Sequence, residues 1–138
     1  MSLATCYITF ENFWGEELRY ATITHTDSTY PDEYDFKQQY DIKQQYGGND
    51  TETLYHIEDK KILTDAIKFK YVPNLKDYWN ITITTMYGQI WFTESRLPCS
   101  IKPEDNHRVI IGVNGQSKRM YVAFPASSTC STALKKVV

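Results

Sequence analysis

Residues Asp77–Thr93, DYWNITITTMYGQIWFT, decide the fold class of this chain. Every second residue from Trp79 to Ile83 is apolar, and the residues between them are polar. A Tyr-Gly pair at 87–88 supplies a turn, and the apolar residues Ile90–Phe92 follow it. Alternation of β-branched and aromatic residues is typical of a strand with one buried face. The stretch therefore predicts a β-hairpin that contributes two tryptophans to the core.

Six further segments carry strand patterns bounded by turn residues. They are Thr5–Phe10, Leu18–His25, Thr53–Ile57, Ile62–Val72, Arg108–Val113 and Lys118–Phe124. The last two flank Asn114-Gly115, which predicts a two-residue type I′ hairpin turn. About eight strands at roughly ten-residue spacing, without a helical pattern, predict an all-β protein, a single antiparallel β-sandwich domain over residues 1–138.

A tandem duplication occupies residues 35–46, where DFKQQY is followed directly by DIKQQY. The two copies differ only at Phe36 and Ile42. Read as a strand, the segment places its apolar residues on one face and Asp, Lys and Gln on the other. That pattern is typical of a long edge strand, whose unpaired backbone groups would support a homodimer. A harmless local insertion explains the duplication equally well.

Composition and charge narrow the class of partner. The chain has 138 residues, 15 basic and 17 acidic side chains, and a formal charge of −2, so nucleic acid is not an expected partner. No run of 18 apolar residues occurs, so no transmembrane segment is predicted. Eleven tyrosines favour strands and a recognition surface. The first ten residues lack a signal-peptide pattern, and we expect a cytoplasmic location.

Three cysteines are present: Cys6, Cys99 and Cys130. An odd count without a CxxC pattern favours three reduced thiols. A disulfide between Cys99 and Cys130, with Cys6 buried in the first strand, stays open as the alternative.

Catalytic signatures are absent from the sequence. No P-loop, GxGxxG, GxSxG or HExxH pattern occurs, so neither a catalytic residue nor a cofactor or metal ion is predicted. His25 and His56 each lie two residues before a carboxylate, which is the basis of one alternative, a metal-dependent hydrolase. Surface histidines at strand ends are the simpler interpretation, and the chain is expected not to be an enzyme.

Aromatic residues in loops are the candidates for ligand binding. Trp14 lies in a predicted turn, and Tyr30 and Tyr34 flank a second loop. Aromatic side chains grouped at one end of a sandwich can stack on sugars or enter a lipid interface. The alternative is that they pack over the ends of the sandwich as plugs.

A family resemblance appears at the C-terminal hairpin. Residues 115–125, GQSKRMYVAFP, with the Ser/Thr-rich stretch 127–132, the Asn12–Gly15 turn and Tyr78-Trp79, resemble a small β-sandwich family. That family is named for nematode proteins up-regulated in long-lived insulin-receptor mutants. The resemblance implies a fold and a stress- or defence-related setting, without an enzymatic mechanism. At the level of fold alone, the chain is similar to aegerolysins, small β-sandwich proteins that bind membrane lipids.

Together these patterns predict a non-enzymatic binding module. Its ligand would be a glycan, a lipid headgroup or a protein, recognised through loops at one end of the sandwich. A membrane-active, toxin-like component of aegerolysin type is the alternative.

Overall fold

A computed structural model describes residues 3–28, 50–127 and 129–137. These residues form eleven strands: β1 Ala4–Phe13, β2 Leu18–Asp27, β3 Asp50–Ile57, β4 Ile62–Tyr71, β5 Asp77–Thr85, β6 Ile90–Phe92, β7 Leu97–Pro98, β8 Arg108–Asn114, β9 Arg119–Ala123, β10 Cys130–Ala133 and β11 Lys135–Lys136. One 3-10 turn, Pro103–Asp105, precedes β8. No α-helix occurs in the described residues, and none of their segments is a helix long and apolar enough to cross a membrane.

Two sheets pack face to face, which confirms the predicted all-β sandwich. The five-stranded sheet has the order β10-β9-β8-β1-β4. The six-stranded sheet has the order β11-β6-β5-β2-β3, with β7 paired to β5. All pairs are antiparallel except β1 and β8, which run in parallel from Tyr7 opposite Arg108 to Phe13 opposite Asn114.

The alternating residues of β5, in the central hairpin, form one side of the hydrophobic core. Along β5, every second residue from Asp77 to Thr85 is buried, and the residues between them face outward. Trp79 is fully buried, and its indole nitrogen donates to the carbonyl oxygen of Cys99 at 2.8 Å. From the opposite sheet, β1 turns Cys6, Ile8 and Phe10 into the same core. The apolar face of each strand therefore lies between the sheets, as period two requires.

Four turns lie together at one end of the sandwich, which we name the turn pole: residues 14–17, 58–61, 86–89 and 115–118. The buried amide of Asn12 joins two of them, since its nitrogen donates to the carbonyl oxygens of Glu16, Ile57 and Glu58. Its oxygen accepts a hydrogen bond from the backbone N–H of Trp14 at 3.0 Å. One side chain thus satisfies backbone groups that the tight turns leave without partners.

The structure differs from the sequence-based expectation in three respects. Eleven strands replace about eight, because β7, β10 and β11 have two to four residues and cannot display alternation. The type I′ turn at Asn114-Gly115 is wrong: the connection spans residues 115–118, and its positive φ lies at Lys118. The Asn114 side chain instead accepts hydrogen bonds from the N–H groups of Gln116 and Ser117.

The prediction that all three cysteines are reduced is also wrong, because Cys99 and Cys130 form a disulfide and Cys6 is a buried free thiol. The duplicated segment 35–46 lies outside the described residues.

Candidate functional site

Trp14 packs into the turn pole as a plug. Its side chain is 5% exposed and meets the ring of Trp91 edge to face at 5.2 Å. The ammonium of Lys118 lies 4.9 Å from the centre of the Trp14 ring and 5.5 Å from that of Trp91. The aromatic faces are therefore occupied by the protein itself. In this arrangement Trp14 packs against other side chains of the protein and does not present its ring for stacking on a ligand.

The other two aromatic candidates, Tyr30 and Tyr34, lie outside the described residues. The residues that bound their segment, Ser28 and Asp50, lie at the end of the sandwich opposite the turn pole. β2 separates Trp14 from Ser28, and its 10 residues span about 30 Å. Trp14 therefore lies at the end of the sandwich opposite to Ser28 and Asp50.

His25 and His56, the two histidines of the hydrolase alternative, lie far apart in the structure. His25 is fully buried and shares a 2.7 Å hydrogen bond between its Nε2 and Oδ1 of Asp77, which is 1% exposed. His56 is exposed near the far end of β3, six residues from Asp50, the partner of His25 across the strands. That separation is about 20 Å. Among the described residues, no group of three His, Cys, Asp or Glu side chains could hold a metal ion.

His25 and Asp77 instead stabilise the core beneath Trp79. The imidazole lies 4.7 Å from the Trp79 ring, and its Nδ1 has no hydrogen-bond partner among the described residues. The second oxygen of Asp77 accepts the backbone N–H of Ile101 at 2.9 Å. The pair therefore fixes the loop after β7 to the interior of the six-stranded sheet.

The outward side of the six-stranded sheet carries the more promising surface. Residues directly opposite across strands share a face, and the register groups eleven outward residues of β2, β3, β5 and β6. We name this surface the Thr-Tyr face; it consists of Tyr20, Thr22, Thr24, Thr51, Thr53, Tyr55, Asn80, Thr82, Thr84, Ile90 and Phe92.

Two tyrosines form its most exposed feature. Tyr20 is 45% exposed and Tyr55 is 61% exposed, and their rings meet edge to face at 5.5 Å. They lie directly opposite each other on β2 and β3. Exposed neighbouring aromatic side chains on a regular sheet present rigid apolar area together with two phenol hydroxyls.

Paired threonines continue the face along the same two strands. The hydroxyl oxygens of Thr22 and Thr53 lie 2.9 Å apart, and those of Thr24 and Thr51 lie 3.1 Å apart. Each hydroxyl has one donor and two acceptor sites, so every pair keeps hydrogen-bonding capacity toward solvent. The result is two rows of hydroxyls held by backbone pairing.

A cleft of about 430 Å³ lies where this face meets the edge of the sheet. It is lined by Phe92, Glu94, Lys135, Lys136 and Val137. Because Phe92 is opposite both Thr82 on β5 and Lys135 on β11, the cleft continues the Thr-Tyr face across the sheet. An ion pair of 3.3 Å joins Lys135 to Glu94.

Sequence reasoning missed this surface because the inward face of β2 was ambiguous. The strand has a bulge between Leu18 and Tyr20, so that Leu18 and Ala21 both point inward in spite of their odd spacing. A usable signal was present: threonines recur at alternate positions in β2, β3 and β5. Three strands that each place threonine on one side favour a shared hydroxyl-rich face.

Two comparisons with known proteins identified no relative of this chain. A scan against models of protein families found no matching family, and a search of curated proteins found no similar chain. The resemblance to the nematode β-sandwich family therefore stays a prediction, as does the stress-related setting that it implies.

Proposed function

We propose that this protein is a non-enzymatic binding module that recognises a glycan on the Thr-Tyr face. The observation that carries the proposal is the exposed Tyr20–Tyr55 pair, flanked by rows of threonine hydroxyls on a continuous sheet. A sugar ring has apolar C–H faces and a hydroxyl rim. Tyrosine rings offer matching apolar area, and threonine hydroxyls can both donate to and accept from a sugar hydroxyl.

Rigidity of the face supports the same function. Strand β2 is paired on both sides, with β3 and β5, so the outward residues of its neighbours are held in register. Threonine is restricted at χ1, so little side-chain freedom remains to be lost when a ligand binds. A surface that is ordered before binding avoids part of the entropic cost of association.

The position of the buried His25–Asp77 pair also fits a binding module. Both side chains are 1% exposed or less, so a substrate in solvent has no access to them. Cys6 is buried as well, and burial raises the pKa of its thiol to about 12, which keeps it protonated near neutral pH. These three groups of the described core are placed for stability.

Retention on insoluble polysaccharides tests the proposal. The wild-type protein is mixed with a panel of neutral and acidic polysaccharides, beside a Tyr20→Ala, Tyr55→Ala double variant. We expect retention of the wild type and a loss of at least about tenfold in affinity for the variant, since stacked aromatic side chains dominate such interfaces.

Tyr87→Ala is the matched control, because Tyr87 is 82% exposed but lies on the turn pole rather than on the face. It should bind like the wild type. Equal binding by the wild type and the double variant, or retention of neither on any polysaccharide, would refute glycan recognition by this face.

A membrane-surface function is the second candidate, favoured by apolar exposure at and beside the turn pole. Phe13, Met86 and Tyr87 are 38%, 42% and 82% exposed. Cosedimentation with vesicles of zwitterionic or anionic phospholipid would test it with a Met86→Ser, Tyr87→Ser variant. Retention that the variant loses, and that Tyr20→Ala, Tyr55→Ala keeps, would favour this candidate; absence of wild-type retention would exclude it for these lipids.

A further inference from the structure

Three cationic side chains lie together on the outward side of the five-stranded sheet. Tyr7 of β1 lies directly opposite Lys68 of β4 and Arg108 of β8, so these three side chains share a face of the sheet. Lys70 lies opposite Thr5, which is on the same side of β1 as Tyr7. We name this surface the basic corner, and its cations are Lys68, Lys70 and Arg108.

Contacts with β1 hold the two lysine side chains on the sheet. The Lys68 ammonium lies 5.7 Å from the centre of the Tyr7 ring. The Lys70 ammonium donates to Oγ1 of Thr5 at 2.8 Å. These partners are uncharged, and neither ammonium has a carboxylate partner among the described residues. Both lysines therefore present a positive charge that no acidic side chain of the described surface neutralises.

Arg108 is neutralised only in part. Its Nη1 lies 3.1 Å from Oδ1 of Asp65, and the two side chains are 53% and 39% exposed, so the ion pair is weak. Glu11, a second carboxylate on this side of the sheet, lies four residues from Tyr7 along β1, about 14 Å away. Three positive charges and one negative charge give the basic corner a net charge of +2, in a chain whose formal charge is −2.

The sheet keeps these like charges close together. Lys68 and Lys70 are anchored two residues apart in one strand, about 7 Å, and Lys68 and Arg108 are anchored two strand spacings apart, about 10 Å. Charges at such separations still interact, since the Debye length is about 10 Å at roughly 0.1 M salt. An anion that lies among the three cations relieves their repulsion, which favours its binding.

We propose that the basic corner binds a phosphate monoester. This group carries a charge of about −1.5 to −2 near neutral pH and has three strong acceptor oxygens. Its charge matches the net charge of the corner, whereas a phosphodiester or a sulfate ester carries a single negative charge. The site goes beyond the proposed function, because it lies on the sheet opposite the Thr-Tyr face and uses none of its residues.

Thermal unfolding with soluble phosphate esters tests the proposal. A ligand that binds only the native state raises the Tm as its concentration rises. Glycerol phosphate, a monoester, should raise the Tm of the wild type at constant ionic strength. Dimethyl phosphate, a diester, should bind up to about fivefold more weakly, the range of one exposed ion pair. Equal shifts by the two esters, or no shift by either ester or by the vesicles described below, would overturn the proposal.

Two lysine variants locate the site. Lys68→Gln, Lys70→Gln should weaken the binding of glycerol phosphate about tenfold, because two exposed charge interactions are lost. Lys60→Gln, Lys61→Gln removes the same charge from the turn between β3 and β4 and should bind like the wild type. Equal affinity of both variants for glycerol phosphate would contradict binding at the basic corner.

A third variant should change the affinity in the opposite direction. Asp65→Asn removes the carboxylate that pairs with Arg108 and should tighten the binding of glycerol phosphate about two- to fivefold. Asn suits this position, because Asp65 has a φ of 50°, which Asn adopts more readily than most residues. Weaker binding by this variant with an unchanged Tm in the absence of ligand would contradict the assigned charges.

Vesicles distinguish a lipid source of the monoester from a soluble one. Phosphatidic acid carries a phosphate monoester, and phosphatidylglycerol carries a diester. Retention on phosphatidic acid that Lys68→Gln, Lys70→Gln loses would assign the site to a lipid headgroup, and a Tm shift without retention would assign it to a soluble ester. Equal retention on the two lipids would overturn the preference for a monoester. Tyr20→Ala, Tyr55→Ala should bind phosphate like the wild type, so this proposal and glycan recognition fail independently.

Discussion

Two glycines, Gly112 in β8 and Gly115 at the turn pole, allow close contacts between neighbouring segments of the five-stranded sheet. Gly115 faces the backbone carbonyl of Trp14, and a Cβ at this position would overlap that oxygen. Gly112 is covered by the ring of Tyr121, whose hydroxyl donates to Oε1 of Glu11 at 2.7 Å. Neither position has room for a Cβ. The obstacle at Gly115 is backbone, which cannot move easily, whereas the obstacle at Gly112 is a side chain.

Gly115→Ala should therefore destabilise the fold more than Gly112→Ala. We expect a loss of about 3 kcal/mol or more at position 115, since the backbone must move, and about 1–2 kcal/mol at position 112, where a ring can shift. Urea denaturation of both variants measures the difference. A larger loss at position 112 would contradict the assigned contacts.

The buried Cys6 thiol makes the free energy of unfolding depend on pH in the alkaline range. Burial, with smaller contributions from the charges of Asp77 and Asp50, raises its pKa from 9.0 to about 12. Between these values the unfolded chain releases the proton and the native chain keeps it. The stabilising contribution is therefore complete below pH 9 and is lost as pH rises toward 12.

A Cys6→Ala variant should show a shallower alkaline decline. The free energy of unfolding of the wild type should fall more steeply between pH 9 and 10.5, by up to about 1.4 kcal/mol per pH unit for one proton. Burial also raises the pKa of Tyr71 and Tyr121, so some decline persists in the variant. Parallel curves for the two proteins would show that Cys6 does not titrate as inferred.

At the scale of secondary structure, the sequence pattern predicts where the long strands lie. It does not predict which strands are neighbours in a sheet. The pattern at Trp79–Ile83 predicts the burial of β5 because each side chain there obeys period two. The parallel pairing of β1 with β8 joins residues about a hundred positions apart, and neither strand's pattern indicates the other. The bulge in β2 hides its inward face, and with it the outward position of Tyr20.

The disulfide connects elements of different sheets. Cys99 follows β7 of the six-stranded sheet, and Cys130 begins β10 at the edge of the five-stranded sheet. Closing a loop across a separation of 31 residues should stabilise the fold by about 3–4 kcal/mol through the entropy of the unfolded chain. Cys99→Ser, Cys130→Ser should lower the free energy of unfolding by that amount, measured by guanidinium denaturation.

Reduction supplies the control for that prediction. Reductant should shift the denaturation midpoint of the wild type and leave that of the double serine variant unchanged. A wild-type midpoint that is insensitive to reductant would contradict the stabilising role of the disulfide.

The plug at the turn pole joins β1 to β6. Trp14→Ala removes a buried indole from its contact with Trp91, and we expect a loss of about 3–5 kcal/mol in stability. Because Trp14 is 5% exposed, glycan affinity per folded molecule should not change. Thermal unfolding and a binding isotherm on the same sample separate the two effects; reduced affinity without reduced stability would return Trp14 to the ligand site.

For the whole molecule, the two sheets have different outward surfaces. The five-stranded sheet presents Lys68, Lys70 and Arg108 at one corner, engaged with Tyr7, Thr5 and Asp65 respectively. The six-stranded sheet presents tyrosine and threonine, with charge concentrated at its β11 edge. If the protein binds through the Thr-Tyr face as proposed, the six-stranded sheet faces the ligand.

Mapping of the bound surface tests this account most directly. Uniformly 15N-labelled protein is titrated with the shortest soluble oligosaccharide of a retained polysaccharide, and amide shifts are followed by NMR. We predict that the largest changes lie at Tyr20, Thr22, Thr53, Tyr55 and Thr82, with little change at residues 86–89. Changes confined to the turn pole, or a saturating titration that leaves β2 and β3 unperturbed, would contradict recognition by the Thr-Tyr face.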